Sequence, residues 1–316
     1  MTRAFEDSPA VRRAVPLLIG LVAPSGGGKT RGALRLAAGI QRVMPGPVFC
    51  IDTEANRALH YADFHDFRHV PFGAPFDALS YLAAVQYCVS KGARTVIIDS
   101  ASHMHEGPGG TLEMHEAECE RLMQLWSKNG QPASRDRVQM SAWQKPKQEL
   151  RKFLNTVLQM QVNTIWCFRA KDKMKIIPGQ QPKALGFMPI AGDEMIYEMT
   201  LNCLMYPNSG GIPSWHPEEM GERAIIKLPQ QFAAIFDKPK PLDEDIGEAL
   251  ARWAAGTKPV TSQEVDSLIT SYSLAPDKAS FDKLETIRNG MWRQISTEQK
   301  AALKLASDTA KTRVTA

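Results

Sequence analysis

The stretch "APSGGGKT" (23–30) sets three glycines, a lysine and a threonine directly behind an apolar run, "VPLLIGLV". Glycines let a backbone wrap an anion with several N–H groups turned inward. A helix that begins at the lysine adds its positive N-terminal end. Ser25, Gly26, Gly27, Gly28, Lys29, Thr30 and Arg31 are therefore the expected nucleotide-binding residues. Lys29 is expected to reach the β and γ phosphates, and the Thr30 hydroxyl to hold Mg²⁺. Ala23 stands where the pattern G-x-x-x-x-G-K-[ST] opens on glycine, and a small residue fits there.

Two further acids complete the chemistry. "TVIID" (95–99) is an apolar run that ends in Asp99, which fits a carboxylate supporting Mg²⁺ directly or through water. The next residue is Ser100, so no water-activating acid stands beside it. Glu54, in "FCIDTEANRALHYAD", is the better base for orienting an attacking water. Asp52 competes for that role and is expected to point elsewhere or to support the metal. Residues 169–183, "RAKDKMKIIPGQQPK", hold five basic side chains and one acid. Arg169 is placed to sense the γ phosphate. Lys171, Lys173 and Lys175 are placed to reach a neighbouring subunit's nucleotide or DNA phosphates. A solvated basic hairpin is the plain alternative. His103, His105 and His115 lie among acids, but their spacing does not resemble a zinc set. Gly107, Gly109 and Gly110 in the same stretch suit a mobile loop.

These residues need a scaffold that brings them together. Apolar strands are expected at 16–23, 47–54, 93–100, 163–170, 195–207 and 222–228. Helices are expected at 29–43, 76–92, about 112–128 and 146–160, with "SRDRVQM" (134–140) as a polar break. Strands alternating with helices predict an α/β fold with a mainly parallel sheet flanked by helices. The domain reading is an N-terminal extension (1–15), an ATPase core (16–236), a linker and short helix (237–258), and a C-terminal helical region (259–316). Caps for that last region are expected at Thr261 or Ser262 and at Ser296.

Bulk properties set outer limits. The chain has 316 residues, 43% of them hydrophobic and 23% charged, which is ordinary globular composition. A net charge of +4 permits nucleic-acid binding without arguing for it. No apolar run approaches the roughly 20 residues that span a bilayer. The five cysteines are scattered and form no CxxC pair, so they read as buried thiols. A cytoplasmic protein with no membrane partner is expected.

The glycine-rich loop, the Glu54 strand and the Asp99 strand, in this order, resemble the RecA core. "IDTEANRALHYA" looks like the strand carrying the catalytic glutamate there, and "VIIDS" like its Walker B strand. The likeness is closer still to RecA-like, AAA-type ATPases of bacteriophages, including those implicated in single-strand annealing and recombination. "IIDSASHMHEGPGGTLEMHE", "AWQKPKQELRKFLNTVLQMQVNTIWCFRAKDKMK" and "PKALGFMPIAGDEMIYEMTL" carry it, and it covers about residues 16 to 230. The resemblance implies an ATP-dependent, DNA-stimulated protein that acts on single-stranded DNA as a homo-oligomer, ring or filament. It leaves the 259–316 tail to pack as a small helical subdomain or to bind a single-strand-binding protein. A RecA-fold helicase or helicase loader is a second reading. A nucleotide-switched binding module with slow hydrolysis is a third.

Overall fold

A computed structural model describes residues 14–129, 134–176, 181–256, 262–292, 295 and 297–315. The chain divides into two compact units, Met1–Gly256 and Thr257–Ala316. The elements of the first unit run β1 (Leu18–Ala23), α1 (Lys29–Val43), β2 (Val48–Asp52), β3 (Arg68–Pro71), α2 (Ala78–Ser90), β4 (Thr95–Asp99), α3 (His103–Glu106), α4 (Thr111–Lys128), α5 (Arg135–Ala142), α6 (Gln144–Gln159), β5 (Asn163–Lys175), β6 (Lys183–Pro189), α7 (Asp193–Glu198), β7 (Leu201–Leu204) and α8 (Glu244–Ala254). The second unit holds α9 (Ser262–Leu274), α10 (Lys278–Met291) and α11 (Thr297–Thr315).

Six strands form a parallel array in the order β3-β2-β4-β5-β1-β7, and β6 pairs antiparallel with the outer half of β5. The strands are apolar on both faces because both faces are covered. Their period of two sorts the side chains cleanly. Ile19, Leu21, Cys50, Ile97, Ile165 and Cys167 join the core under α1 and α8. Val22, Phe49, Ile51, Ile98, Trp166 and Phe168 join the core under α2, α6 and α7. All five cysteines are buried as free thiols.

Helix α8 packs on α1 at very close range. A Cβ on Gly39 would fall 2.0 Å from the Glu244 carbonyl oxygen, and one on Gly247 would fall 2.2 Å from that of Leu36. Arg35 holds Glu244 through a 2.6 Å ion pair across this seam. The stretch expected as a linker and short helix is thus built into the first unit as far as Gly256.

Several local expectations need correction. Residues 134–140 are not a break: Arg135–Ala142 is helical, and it buries Val138 and Ala142 beside Cys119 of α4. Residues 195–207 are helix first and strand only from Leu201, because the α7 turn must precede β7. The stretch 222–228 is no strand. Its start is a 3-10 turn, Met220–Ala224, and only Lys227 bridges to Asn202. The reason lies in Glu222, which is 1% exposed. Its carboxylate accepts the Phe187 and Glu218 N–H groups at 2.9 Å each and the Tyr206 hydroxyl at 2.5 Å. That bonding turns the chain inward and ties β6 to the body. The Glu219 N–H donates to the same carboxylate at 3.2 Å, so Glu222→Ala would take an acceptor from four donors, and we expect a loss of about 3 kcal/mol in urea denaturation.

The second unit has its own core of Val265, Leu268, Tyr272, Phe281, Ile295 and Leu303. Glu285 Oε1 accepts from the Tyr272 hydroxyl at 2.7 Å and the Ser307 hydroxyl at 2.6 Å, joining its three helices. Asp277 caps α10 through the Ser280 N–H. Residues 1–13 of the expected 1–15 extension and the expected cap positions Thr261 and Ser296 lie outside the described residues, while Ser262, the other expected cap, is the first residue of α9. No helix among the described residues is long and apolar enough to cross a membrane.

Candidate functional site

The carboxyl ends of β1, β2 and β4 come level with one another and with the middle of β5, where that strand leaves the parallel sheet. Register pairs Ala23 with Arg169, Cys167 with Asp99, and Asp99 with Asp52. Ligands of open α/β sheets sit at this edge. A cleft of about 440 Å³ opens there, within the size range of small-molecule sites. Ser25, Gly26, Gly28, Lys29, Thr30, Glu54, Asp99, Arg169 and Lys171 line it.

The glycine-rich loop has the shape its composition demands. Gly28 takes φ +90, and a Cβ there would lie 2.9 Å from the Cα of Gly211. A Cβ on Gly27 would lie 2.6 Å from that of Ala23. No larger residue fits at either position without moving backbone. Helix α1 then starts at Lys29, so its free N–H groups face the loop.

Lys29 is held ready rather than swung out. Its Nζ donates to the carbonyls of Ala23 at 2.8 Å and Pro24 at 2.9 Å. Burial lowers its pKa from the ordinary lysine value, and the neighbouring carboxylates Asp99 and Glu54 oppose that drop. Thr30 Oγ1 donates to Asp99 Oδ2 at 2.5 Å. Burial pushes the Asp99 carboxyl up to about 6, even though Thr30 and Lys29 pull it down. The Asp99–Ser100 peptide is cis.

The Asp99 shift predicts a pH effect on stability. The folded value lies above the ordinary 3.8, so between the two the folded chain keeps a proton that the unfolded chain has lost. Unliganded protein therefore gains stability from this group as pH falls from above 6 toward 4. Asp99→Asn is expected to be more stable than wild type at pH 8 by on the order of 2 kcal/mol, with the gap closing near pH 4. Urea melts of both proteins at the two pH values, without nucleotide or metal, check this.

Glu54 and Arg169 meet across the cleft. Arg169 Nε donates to Glu54 Oε1 at 2.8 Å, and Nη2 to Oε2 at 2.6 Å. Burial by itself would raise the Glu54 carboxyl, but the Arg169 fork outweighs it and holds the group below the usual range. The Arg169 backbone is fixed as well, since its N–H donates to Ser102 Oγ at 2.8 Å.

Asp52 points away from the cleft, as expected for one of its two alternatives. It is 2% exposed and accepts from Glu54 N, Ala58 N and His69 Nε2. Four expected residues stand apart from the lining. Arg31 is exposed on the first turn of α1, and Lys173 and Lys175 lie out along the β5–β6 ribbon. Gly27 is buried behind the loop. Lys171 does line the cleft and pairs with Glu106 at 2.9 Å. Arg57, Tyr61, Glu106 and Ile190 line the cleft too, and no sequence motif marks them. The only sequence signal for Arg57 and Tyr61 is their position within seven residues of Glu54.

The histidines lie in separate settings. His103 bonds Thr53 Oγ1 at 2.7 Å and stacks on Phe76, while His115 stacks on Trp143. Among the described residues no three His, Cys, Asp or Glu side chains gather as metal ligands. The Thr30–Asp99 pair is a different kind of place. It offers two hard oxygens, one of them on a buried carboxylate. That donor set suits Mg²⁺, which takes one or two protein oxygens and keeps several waters.

No protein-family model matches the chain, and no curated protein matches it.

Proposed function

We propose that the chain is a RecA-like P-loop ATPase of the bacteriophage type that acts on single-stranded DNA in annealing or strand exchange. The observation that carries the reading is the convergence of Lys29, Thr30, Asp99, Glu54 and Arg169 on one cleft, from the ends of β1, β2 and β4 and from the middle of β5. Each has a task in phosphoryl transfer to water. Lys29 and the α1 N-terminus bind the β and γ phosphates, which take the place of the Ala23 and Pro24 carbonyls as acceptors. Thr30 and Asp99 hold Mg²⁺, which supplies charge neutralisation across the phosphates when bound. Glu54 orients and deprotonates the attacking water. Arg169 contacts the γ phosphate as charge develops there.

The Glu54–Arg169 pair adds a feature of the resting state. A base whose two oxygens are taken by a guanidinium is not free to orient water. Nucleotide must draw Arg169 toward the γ phosphate to release Glu54. Slow hydrolysis without DNA follows, with stimulation when DNA bound at the outer ribbon helps the Arg169 side chain leave Glu54. The same pair favours the slow, switch-like module as the second reading. The exposed lysines 171, 173, 175 and 183 on the β5–β6 ribbon supply cations for DNA phosphates or for a neighbouring subunit's nucleotide.

Steady-state ATP hydrolysis, measured with and without single-stranded DNA, tests the proposal. At least about tenfold stimulation by single strands is expected. Hydrolysis indifferent to DNA would remove the recombination reading and favour the switched module. Strand separation of a forked duplex would favour a helicase.

A further inference from the structure

The turn that presents Glu54 has an unusual backbone. Ala55 and Asn56 follow it with φ 56 and φ 66, two successive left-handed residues that both carry a Cβ. Such conformations persist only where their surroundings hold them. Here one side chain does most of the holding. Asp52 Oδ1 accepts the Glu54 N–H at 2.7 Å, where the turn begins. Asp52 Oδ2 accepts the Ala58 N–H at 3.0 Å, where the turn closes. His69 of β3 approaches the same Oδ2 through Nε2 at 3.1 Å. An ionised carboxylate accepts and cannot donate, so this partner assigns the proton to Nε2.

The residue between them is fastened in the other direction. The Thr53 N–H donates to the Asp99 carbonyl at 2.8 Å, and Thr53 Oγ1 accepts the Ser100 N–H at 2.8 Å. The Glu54 backbone is thus pinned to β4 on one side and to the Asp52 carboxylate on the other. Only its side-chain torsions remain for the move from Arg169 to water.

We infer that Asp52 and His69 are positioning residues: together they clamp the turn so that the Glu54 carboxylate is held at the reacting end of the cleft. The inference rests on the reading of Glu54 as the base. It also gives Asp52 a task other than the base or metal ligand the sequence suggests. A carboxylate engaged by three N–H donors is poorly placed to take a proton from water.

Turnover, ATP affinity and melting temperature of wild type, Asp52→Asn, His69→Ala, His69→Gln and Glu54→Gln test this. Asp52→Asn sets an amide N–H against N–H donors, and kcat is expected to fall ~10–100-fold with KM and Kd for ATP within about threefold. His69→Ala is expected to lose ~10-fold in kcat. His69→Gln keeps an N–H donor of similar reach and is expected to recover most of that loss. Asp52→Asn and His69→Ala turning over at the wild-type rate, with Glu54→Gln inactive, would overturn the clamp and leave the base in place. Joint loss of kcat, ATP affinity and melting temperature, with no rescue by His69→Gln, is general damage and would overturn it too. Full activity of Glu54→Gln would remove the base assignment, and the clamp's role with it.

Discussion

Glu54→Gln is expected to bind ATP at least as tightly as wild type and to hydrolyse it about 100-fold or more slowly. Glutamine keeps the size of the side chain and one acceptor for Arg169. It cannot take a proton from water. It also no longer neutralises Arg169, whose guanidinium is held in the wild type by a two-bond fork, with distances of 2.8 and 2.6 Å. That cation becomes free for the γ phosphate, so affinity should hold or rise while turnover collapses. Isothermal titration with ATP and Mg²⁺, run beside steady-state hydrolysis, separates the two effects. Turnover within threefold of wild type would sink the assignment of the base.

Lys29→Ala is expected to weaken ATP binding about 100-fold, or about 3 kcal/mol, and to abolish hydrolysis. The ammonium lies within the loop, where its donors satisfy the Ala23 and Pro24 carbonyls. Burial has already lowered its pKa, so the charge there is costly without an anion. On the proposed reading, the nucleotide phosphates supply that anion. Truncation removes the cation and leaves the loop backbone, which the glycines shape on their own. The unliganded melting temperature should therefore stay within a few degrees of wild type. A variant that binds ATP normally would mean that the nucleotide phosphates lie elsewhere.

The parts of this site that chemistry makes local are legible in the amino-acid sequence alone. The loop, its lysine and the strand–loop–helix order are coded in eight consecutive residues. Asp99 is legible because an apolar run must end where the sheet does. The Glu54–Arg169 pair is not legible as a pair, since 115 residues separate its members and only strand order joins them. Strand β3 escapes the pattern because "RHVP" is four residues long and only half-buried. Helix α5 escapes it because "RDRVQMSA" is polar on most of its surface and buries only two side chains. The stretch "ERAIIKL" reads as a strand by composition, and the buried carboxylate of Glu222 overrides that preference. Propensity is a weak guide where a tertiary hydrogen-bond network decides the backbone.

Strand β5 is a single piece of 13 residues, Asn163–Lys175, whose first six are buried in the sheet and whose last five are exposed. Arg169 stands at the crossing between these two regimes. From Arg169 to Lys173 the strand keeps regular pairing, and a register shift against β6 falls between Lys173 and Met174. Lys171 and Lys173 therefore stand on the same regularly paired stretch as the guanidinium, and Lys175 stands beyond the shift. In this arrangement the ribbon is a handle and the ion pair is its catch.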